Sequence, residues 1–437
     1  MTKRAILLGA AFFLVAVFPA RAAWFCGMRK NVSCLIEAID EGNLSRVVKN
    51  LQAGVDPNGE ADGVTPIAAA IKAKNLSAVS ELLKYSVDLE KEACASGNAL
   101  FCALDRFPPA MEPLLRAGAN PDATNPRGDL LLTRAVTGNN ALKYQLAKTL
   151  LKHGADVNKR DGNGNTPLAA VLKWGKSADV MRFLLKNGAN PNVRIDGKTP
   201  LFAYAVLNAG NLKKAALLKK FGANVDAPDA AGRTVLIRAL EKGKSTDTIS
   251  FLLKNGADAN ARSADGGTPL NAAIEADASP VLLNKLVAAG AKVDAVDAKG
   301  RTALIRALEK GKPTETIDFL LKKGADVNAR AANRQTPLLA AVKARAPDAV
   351  LNKLIAAGAD VNAADADGNS AVAHTVKTRE TVTRKLNRLD LLRKHGADMS
   401  AVSGKGETIA DLLRAGNKDV IADGRYWELL KKVSAGN

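Results

Sequence analysis

Residues 336–362 read TPLLAAVKARAPDAVLNKLIAAGADVN. Thr336 offers an N-cap oxygen to the unbonded N–H groups of a helix start, and Pro337 fits the first helical position, where its missing N–H costs nothing. The small side chains that follow let a helix pack close to its neighbours. A second apolar run ends at Gly358, which suits the left-handed position that stops a helix. Asp360 and Asn362 supply side chains that satisfy turn backbone. The stretch is therefore predicted as helix, tight connection, helix, turn.

The pattern returns along the chain. Thr234, Thr268, Thr302 and Thr336 are spaced by 34 residues, and Thr65-Pro66-Ile67, Thr166-Pro167-Leu168 and Thr199-Pro200-Leu201 repeat the opening. Gly154-Ala155-Asp156-Val157-Asn158, Gly256-Ala257-Asp258-Ala259-Asn260 and Gly324-Ala325-Asp326-Val327-Asn328 repeat the turn. A unit this short can bury its apolar face only against its neighbours, so a fixed period of this length predicts a solenoid. Twelve unit starts can be placed, at Ser33, Thr65, Asn98, Asp129, Thr166, Thr199, Thr234, Thr268, Thr302, Thr336, Ser370 and Thr408. A longer period lies on top. Gly232 to Asn255 reads GRTVLIRALEKGKSTDTISFLLKN, and Gly300 to Lys323 reads GRTALIRALEKGKPTETIDFLLKK, an offset of 68 residues.

These Thr-Pro-Leu starts and Gly-Ala-Asp-Val-Asn turns resemble the ankyrin repeat family over nearly all of residues 23–437. The resemblance implies an all-α ankyrin-repeat solenoid of about twelve helix-turn-helix units with projecting β-turn hairpins. It also implies protein binding by the turns and by the end of each first helix, and it says little about which protein is bound. The chain departs from the family at one position. The His that follows Leu in the family is replaced by Ala169, Phe202, Ile237, Asn271, Ile305 and Leu339. Without that link between helix and turn, softer packing is expected.

Residues 1–22 are expected to be a cleaved signal peptide. Lys3 and Arg4 precede an uncharged apolar stretch from Ala5 to Phe18, and Ala20-Arg21-Ala22 fits the small-x-small cleavage pattern. That stretch is shorter than the ~20 residues a spanning helix needs, which favours cleavage over the alternative of an uncleaved anchor, and no other apolar run is long enough to span a membrane. The expected location is the periplasm, with secretion to the medium as the alternative. Residues 23–64 would cap the start of the stack and 404–437 its end, with Trp427 and Leu430 over the exposed core.

Cys26 with Cys34 and Cys94 with Cys102 form two pairs, each eight residues apart. Four cysteines allow three connectivities. Two local bridges are the expected arrangement for an oxidising destination. Zinc fits the spacing poorly, and there is no C-x-x-C redox pair.

The chain carries 63 Lys and Arg against 44 Asp and Glu. Formal net charge is −2 over residues 23–120, +9 over 121–230, +4 over 231–367 and +5 over 368–437. Lysines in the last turns of second helices, such as Lys186 and Lys254, offset helix dipoles. A second basic set recurs at the turns. Arg160, Arg194, Arg262 and Arg330 follow the Asn-type position, and Lys198, Arg233 and Arg301 stand just before Thr. Such a ladder fits an acidic protein surface, against the alternative of ordinary solubility. Nucleic acid is not expected, because aromatic content is 4% and no stacking platform is visible. Peripheral contact with anionic lipid suits a basic exported chain.

Lys173 and Trp174 end the first helix that opens at Thr166. The family resemblance places that end on the partner-facing side, and Trp is over-represented at interface hot spots. The opposing expectation is that Trp174, Phe202 and Tyr204 fill gaps between helices. The segment from Lys377 to Arg388 is longer than its counterparts and basic, and is read as a longer helix or a partner-contacting loop. No enzyme is expected. His153, His374 and His395 are isolated, and no phosphate loop, nucleophile elbow, metal set or cofactor motif occurs. The expected function is an exported protein-binding scaffold, including an inhibitor or immunity protein that sequesters a partner. The alternative is a secreted effector that binds host or rival proteins.

Overall fold

Local chemistry sets each helix. Thr65, Thr166, Thr268 and Thr336 each accept a hydrogen bond from the N–H three residues on, at 3.3 to 3.4 Å, with Pro at the next position. Thr234 and Thr302 cap in the same way although Val and Ala follow them. The resulting first helices are seven residues long and almost wholly buried, as in Pro66–Lys72, Pro167–Lys173 and Pro337–Lys343. Second helices run nine residues in most units, as in Ala178–Lys186, Thr246–Lys254 and Asp348–Ala356, and bury one face only. At Gly256, with φ of 87°, the chain leaves the helix in a left-handed turn. The Gly256 N–H bonds to the Leu253 carbonyl and the Ala257 N–H to that of Leu252, so two orphan carbonyls are satisfied.

The computed structural model describes residues 31–138, 141–400, 403–408 and 411–412, with a few isolated positions beyond. The expected leader 1–22, Cys26 and Leu430 lie outside these residues. Two units divide between Leu201 and Phe202. In the first, helices Val32–Asp40 and Leu44–Gln52 begin a series of pairs that continues to Pro167–Lys173 and Ala178–Lys186. In the second, the series runs from Leu212–Lys220 to Ala371–Lys377 and Val382–Lys394. Within each, the first helix of one repeat packs on the first helix of the next. The cores are built from residues such as Leu100, Leu168, Leu236, Leu304 and Leu338, all nearly inaccessible.

Projecting turns are joined edge to edge. In the second unit, the N–H groups of Ala264, Ala298, Ala332 and Ala366 donate to the carbonyls of Ala231, Asp265, Lys299 and Asn333 at 2.9 to 3.1 Å. Gly266 has φ of 77°, and a Cβ there would lie 2.6 Å from the Ala298 nitrogen, so both conformation and contact demand glycine. Two turns broaden into antiparallel ribbons, Glu92–Cys94 with Gly97–Asn98 and Arg194–Ile195 with Thr199–Pro200.

A second bracket runs through the Gly-Ala-Asp-Val-Asn turns. Asn328 donates its amide to the Gly358 carbonyl at 2.9 Å and accepts from the Asp360 N–H at 2.8 Å. Asn260 and Asn362 do the same one repeat on. Where Asp stands instead, as at Asp294, the structure shows the acceptor half of the bracket, from the Asp326 N–H.

Several sequence expectations shift by a residue or two. Helix Val32–Asp40 is capped by Asn31, and Ser33 lies inside its first turn. Helix Leu131–Thr137 has Leu130, which has no capping oxygen, at its N-cap position, one residue after Asp129. The segment from Lys377 to Arg388 contributes to the helix Val382–Lys394, where Lys385 and Arg388 face inward while Lys377, Arg379 and Arg384 are exposed. Arg388 is fully buried, bonded to Asp348, to Glu380 at 2.7 Å and to the Ala346 carbonyl at 2.7 Å. Lys385 is buried too, and donates to the Val376 carbonyl. The extra length serves this internal ion network, so these two cations are not available to a partner.

Cys94 and Cys102 form a disulfide with Cα atoms 6.0 Å apart, which ties the ribbon Glu92–Cys94 to helix Ala99–Arg106. Cys34 is disulfide-bonded as well. At the far end, Trp427 is half-exposed.

Candidate protein-interaction surface

The helix–turn link expected to be missing is present in altered form. In three repeats a basic side chain four residues after the Thr-like position reaches a turn carboxylate, and in a fourth the basic side chain reaches Asp105 on the preceding first helix. Arg134 forms a two-pronged pair with Asp105 at 2.8 and 3.2 Å. Arg306 reaches Asp297 at 2.9 Å and also pairs with Glu275. His374 meets Asp365 at 2.7 Å, and Arg238 lies 3.6 Å from Asp229. Asp229, Asp297 and Asp365 each stand five residues before the Thr-like position. Each also accepts two backbone N–H groups of its own turn, as Asp297 does from Lys299 and Arg301. Burial alone would raise the carboxyl of Asp297, but the bonds from Arg301 and Lys299 hold it below its ordinary value. The same balance lowers Asp229 and Asp365. For His374 burial wins over the attraction of Asp365 and lowers its pKa.

The turn cations divide by role. Arg160 and Arg194 each fold back on the carbonyl four residues later, Gly164 and Lys198, at 2.7 Å. Arg262 reaches the Gly266 carbonyl in the same way and also that of Val296 in the next turn. These guanidiniums therefore staple hairpins while remaining at the surface. Arg233 and Arg301 are committed to acidic neighbours, Asp229 with Glu241 and Asp297 with Glu309. Arg330 is exposed and has no ion pair or hydrogen bond among the described residues. The sequence pattern places these residues at shared positions but does not show that most already bind the fold.

In the first unit one cluster gathers. Lys173 ends helix Pro167–Lys173 and pairs with Asp196 at 2.9 Å in the next ribbon turn. Asn165 locks the same Asp196 from both sides, donating to its carboxylate and accepting from its N–H. The bond from Lys173, then that from Asn165, holds the Asp196 carboxyl below its usual range. Lys198 is exposed in that turn. Trp174 is the C-cap of the helix and is 51% exposed, so it does not fill a gap in the core, whereas Phe202 is 2% exposed. In the second unit, a cleft of about 300 Å³ opens between turns, lined in part by Arg233, Glu241, Asn271, Glu275 and Arg306.

Among the described residues, no group of three or more His, Cys, Asp or Glu could hold a metal ion, and no helix is long and apolar enough to cross a membrane.

A family model described as "Ankyrin repeats (3 copies)" matches in six overlapping stretches, from residues 35–125 through to 270–365. The chain belongs to the ankyrin repeat family. It is 31% identical over 179 residues to "Rabankyrin-5" of Homo sapiens, covering 35% of this chain and 15% of that protein. It is 32% identical over 165 residues to "Intracellular phospholipase A2" of Caenorhabditis elegans, covering 35% of this chain and 15% of that protein. A "Putative ankyrin repeat protein" of Rickettsia felis is 36% identical over 124 residues, 27% of this chain and 38% of that protein. In each case the match spans well under two thirds of the relative's own length.

Proposed function

We propose that this chain is a protein-binding ankyrin scaffold that acts after export, in the periplasm, by sequestering a partner protein with an acidic surface. An inhibitor or immunity role is the specific form proposed. Ankyrin repeats suggest protein–protein interaction at the coarse level. The observation that carries the finer reading is the half-exposed Trp174 next to Lys173, which pairs with the turn that carries the exposed Lys198, in the stretch with the largest basic excess. An exposed aromatic anchor in a basic stretch has the composition of an interface hot spot. Cations there would speed encounter with an acidic surface and lose that advantage at high salt.

The test is capture. Tagged mature protein is recovered from the periplasm after crosslinking, alongside Trp174→Ala and a Lys173→Ala/Lys198→Ala double variant. One acidic protein is expected to be recovered with wild type. Trp174→Ala should weaken its binding by about 2 kcal/mol, roughly thirtyfold. Recovery of the partner unchanged by both variants would place the contact elsewhere. Recovery of the chain from the culture medium would favour the secreted effector instead.

A further inference from the structure

The cleft of the second unit holds one group that the fold itself does not account for. Asn271 stands three residues after Thr268, on the helix Pro269–Glu275, and is 2% exposed. Neither its Nδ2 nor its Oδ1 has a hydrogen-bond partner among the described residues. The cost of an unsatisfied buried amide is about 1–3 kcal/mol for each group. Ile237, Ile305 and Leu339 occupy the same position in other repeats of this unit and are buried without difficulty. An apolar residue is therefore compatible with the backbone here, and the amide is a departure from the chain's own pattern.

The surroundings limit what could answer it. The cleft has room for several heavy atoms, at about 300 Å³. Its charges are already matched. Arg233 is held by Asp229 and Glu241, and Arg306 by Asp297 and Glu275. Asp265 accepts from the Ser263 hydroxyl and the Gly267 N–H. A charged group entering would bring an uncompensated charge into a partly desolvated site. A cation could meet Oδ1 but not Nδ2, and a carboxylate the reverse. Both amide atoms are inaccessible as placed, so an occupant engages them by turning the Asn271 side chain toward the cleft, and a neutral planar group with one donor and one acceptor side by side then meets both.

We infer that this cleft binds a carboxamide, the side chain of an Asn or Gln carried by the partner protein, paired head to tail with Asn271. The inference rests on the protein-binding function proposed above and adds a chemical requirement on the partner.

The probe is N-acetyl-glutamine methylamide, titrated against the full chain and followed by ligand-observed saturation-transfer NMR. Binding in the millimolar range is expected for a ligand of this size. N-acetyl-glutamate methylamide should bind at least about tenfold more weakly, because its carboxylate lacks a donor. Asn271→Leu should abolish binding, and Asn271→Asp, which keeps the acceptor but loses the donor, should weaken it about tenfold. Circular dichroism of both variants establishes that they fold, and Asn271→Asp answers the question if Asn271→Leu does not. Saturation with the glutamine probe that is absent at about 50 mM overturns the inference. So does equal binding of the two probes, or binding that survives in a folded Asn271→Leu, which would place the probe on groups other than Asn271. These readouts need no partner, so failure of capture through Trp174 and failure of the carboxamide site are separately visible.

Discussion

Replacing Asp297 by Asn should cost more than the same replacement at Asp229, although the two lie in near-identical copies of one sequence block. Asn keeps the turn, because Asn125 in the first unit accepts two backbone N–H groups at the corresponding place, from Arg127 and Asp129. Only the negative charge is removed. At Asp297 the side chain is 2% exposed and serves Arg301 at 2.7 Å and Arg306 at 2.9 Å. Removing one partner of a buried pair costs about 3–5 kcal/mol. Glu275 and Glu309 remain on the two guanidiniums, so about 2–3 kcal/mol is expected. Asp229 is more exposed, its Arg238 lies at 3.6 Å, and the residue 68 positions before Glu275 is Leu207. About 1 kcal/mol is expected there. Urea unfolding compares the two variants, and amide exchange across residues 297–309 localises the loss, since repeat arrays lose stability by neighbouring units. Equal losses, or a larger one at Asp229, would refute the claim that Glu275 converts the second copy into a buried network.

Further outcomes follow from the same geometry. Asn328→Asp removes the donor half of the inter-repeat bracket and should destabilise by about 0.5–1.5 kcal/mol, while Asp294→Asn should gain a similar amount, both read by urea midpoint. Arg345 has φ of 56° at an exposed position where other repeats carry Gly243 and Gly311, so Arg345→Gly should raise thermal stability by about 1 kcal/mol. The lowered carboxyls of Asp229, Asp297 and Asp365 stabilise the fold above the unfolded value near 4, and that contribution is lost as pH falls through their folded values. The lowered His374 acts in the same direction from below about pH 6.5, and a pH series of urea midpoints should lose this first decline in His374→Gln. Cys94→Ser/Cys102→Ser, which leaves the Cys34 bridge in place, should destabilise the first unit by about 2.5 kcal/mol, read by urea midpoint.

The repeat itself was legible because its signals are local. Thr at the N-cap, Pro behind it and Gly at the helix end act within a few residues, and each position is filled again and again. Of the misplaced unit starts, the one at Ser33 overlooked the capping Asn31 two residues earlier, whereas the one at Asp129 has Leu130 at the cap, with no capping oxygen. Asn271 was visible as an odd occupant of the family's His position. Its significance needed the knowledge that both amide atoms are buried and unpartnered. Arg233, Arg301 and Arg388 read alike as surface cations in the sequence, yet the carboxylates that engage them include groups from another part of the repeat or from the preceding one.

By itself, then, the sequence determined the period, the helix pairs, the turn chemistry and membership of a repeat fold, because those depend on contacts a few residues apart. Tertiary structure decided which charges are spent inside the fold, which aromatic ring is left at the surface and which amide goes unanswered. Those outcomes depend on stacking, which brings together residues about 30 to 40 positions apart, such as Glu275 with Arg306 and Asp348 with Arg388. In water the ion pairs would be weak and optional. Burial between repeats makes them obligatory and marks out the groups that remain for a partner.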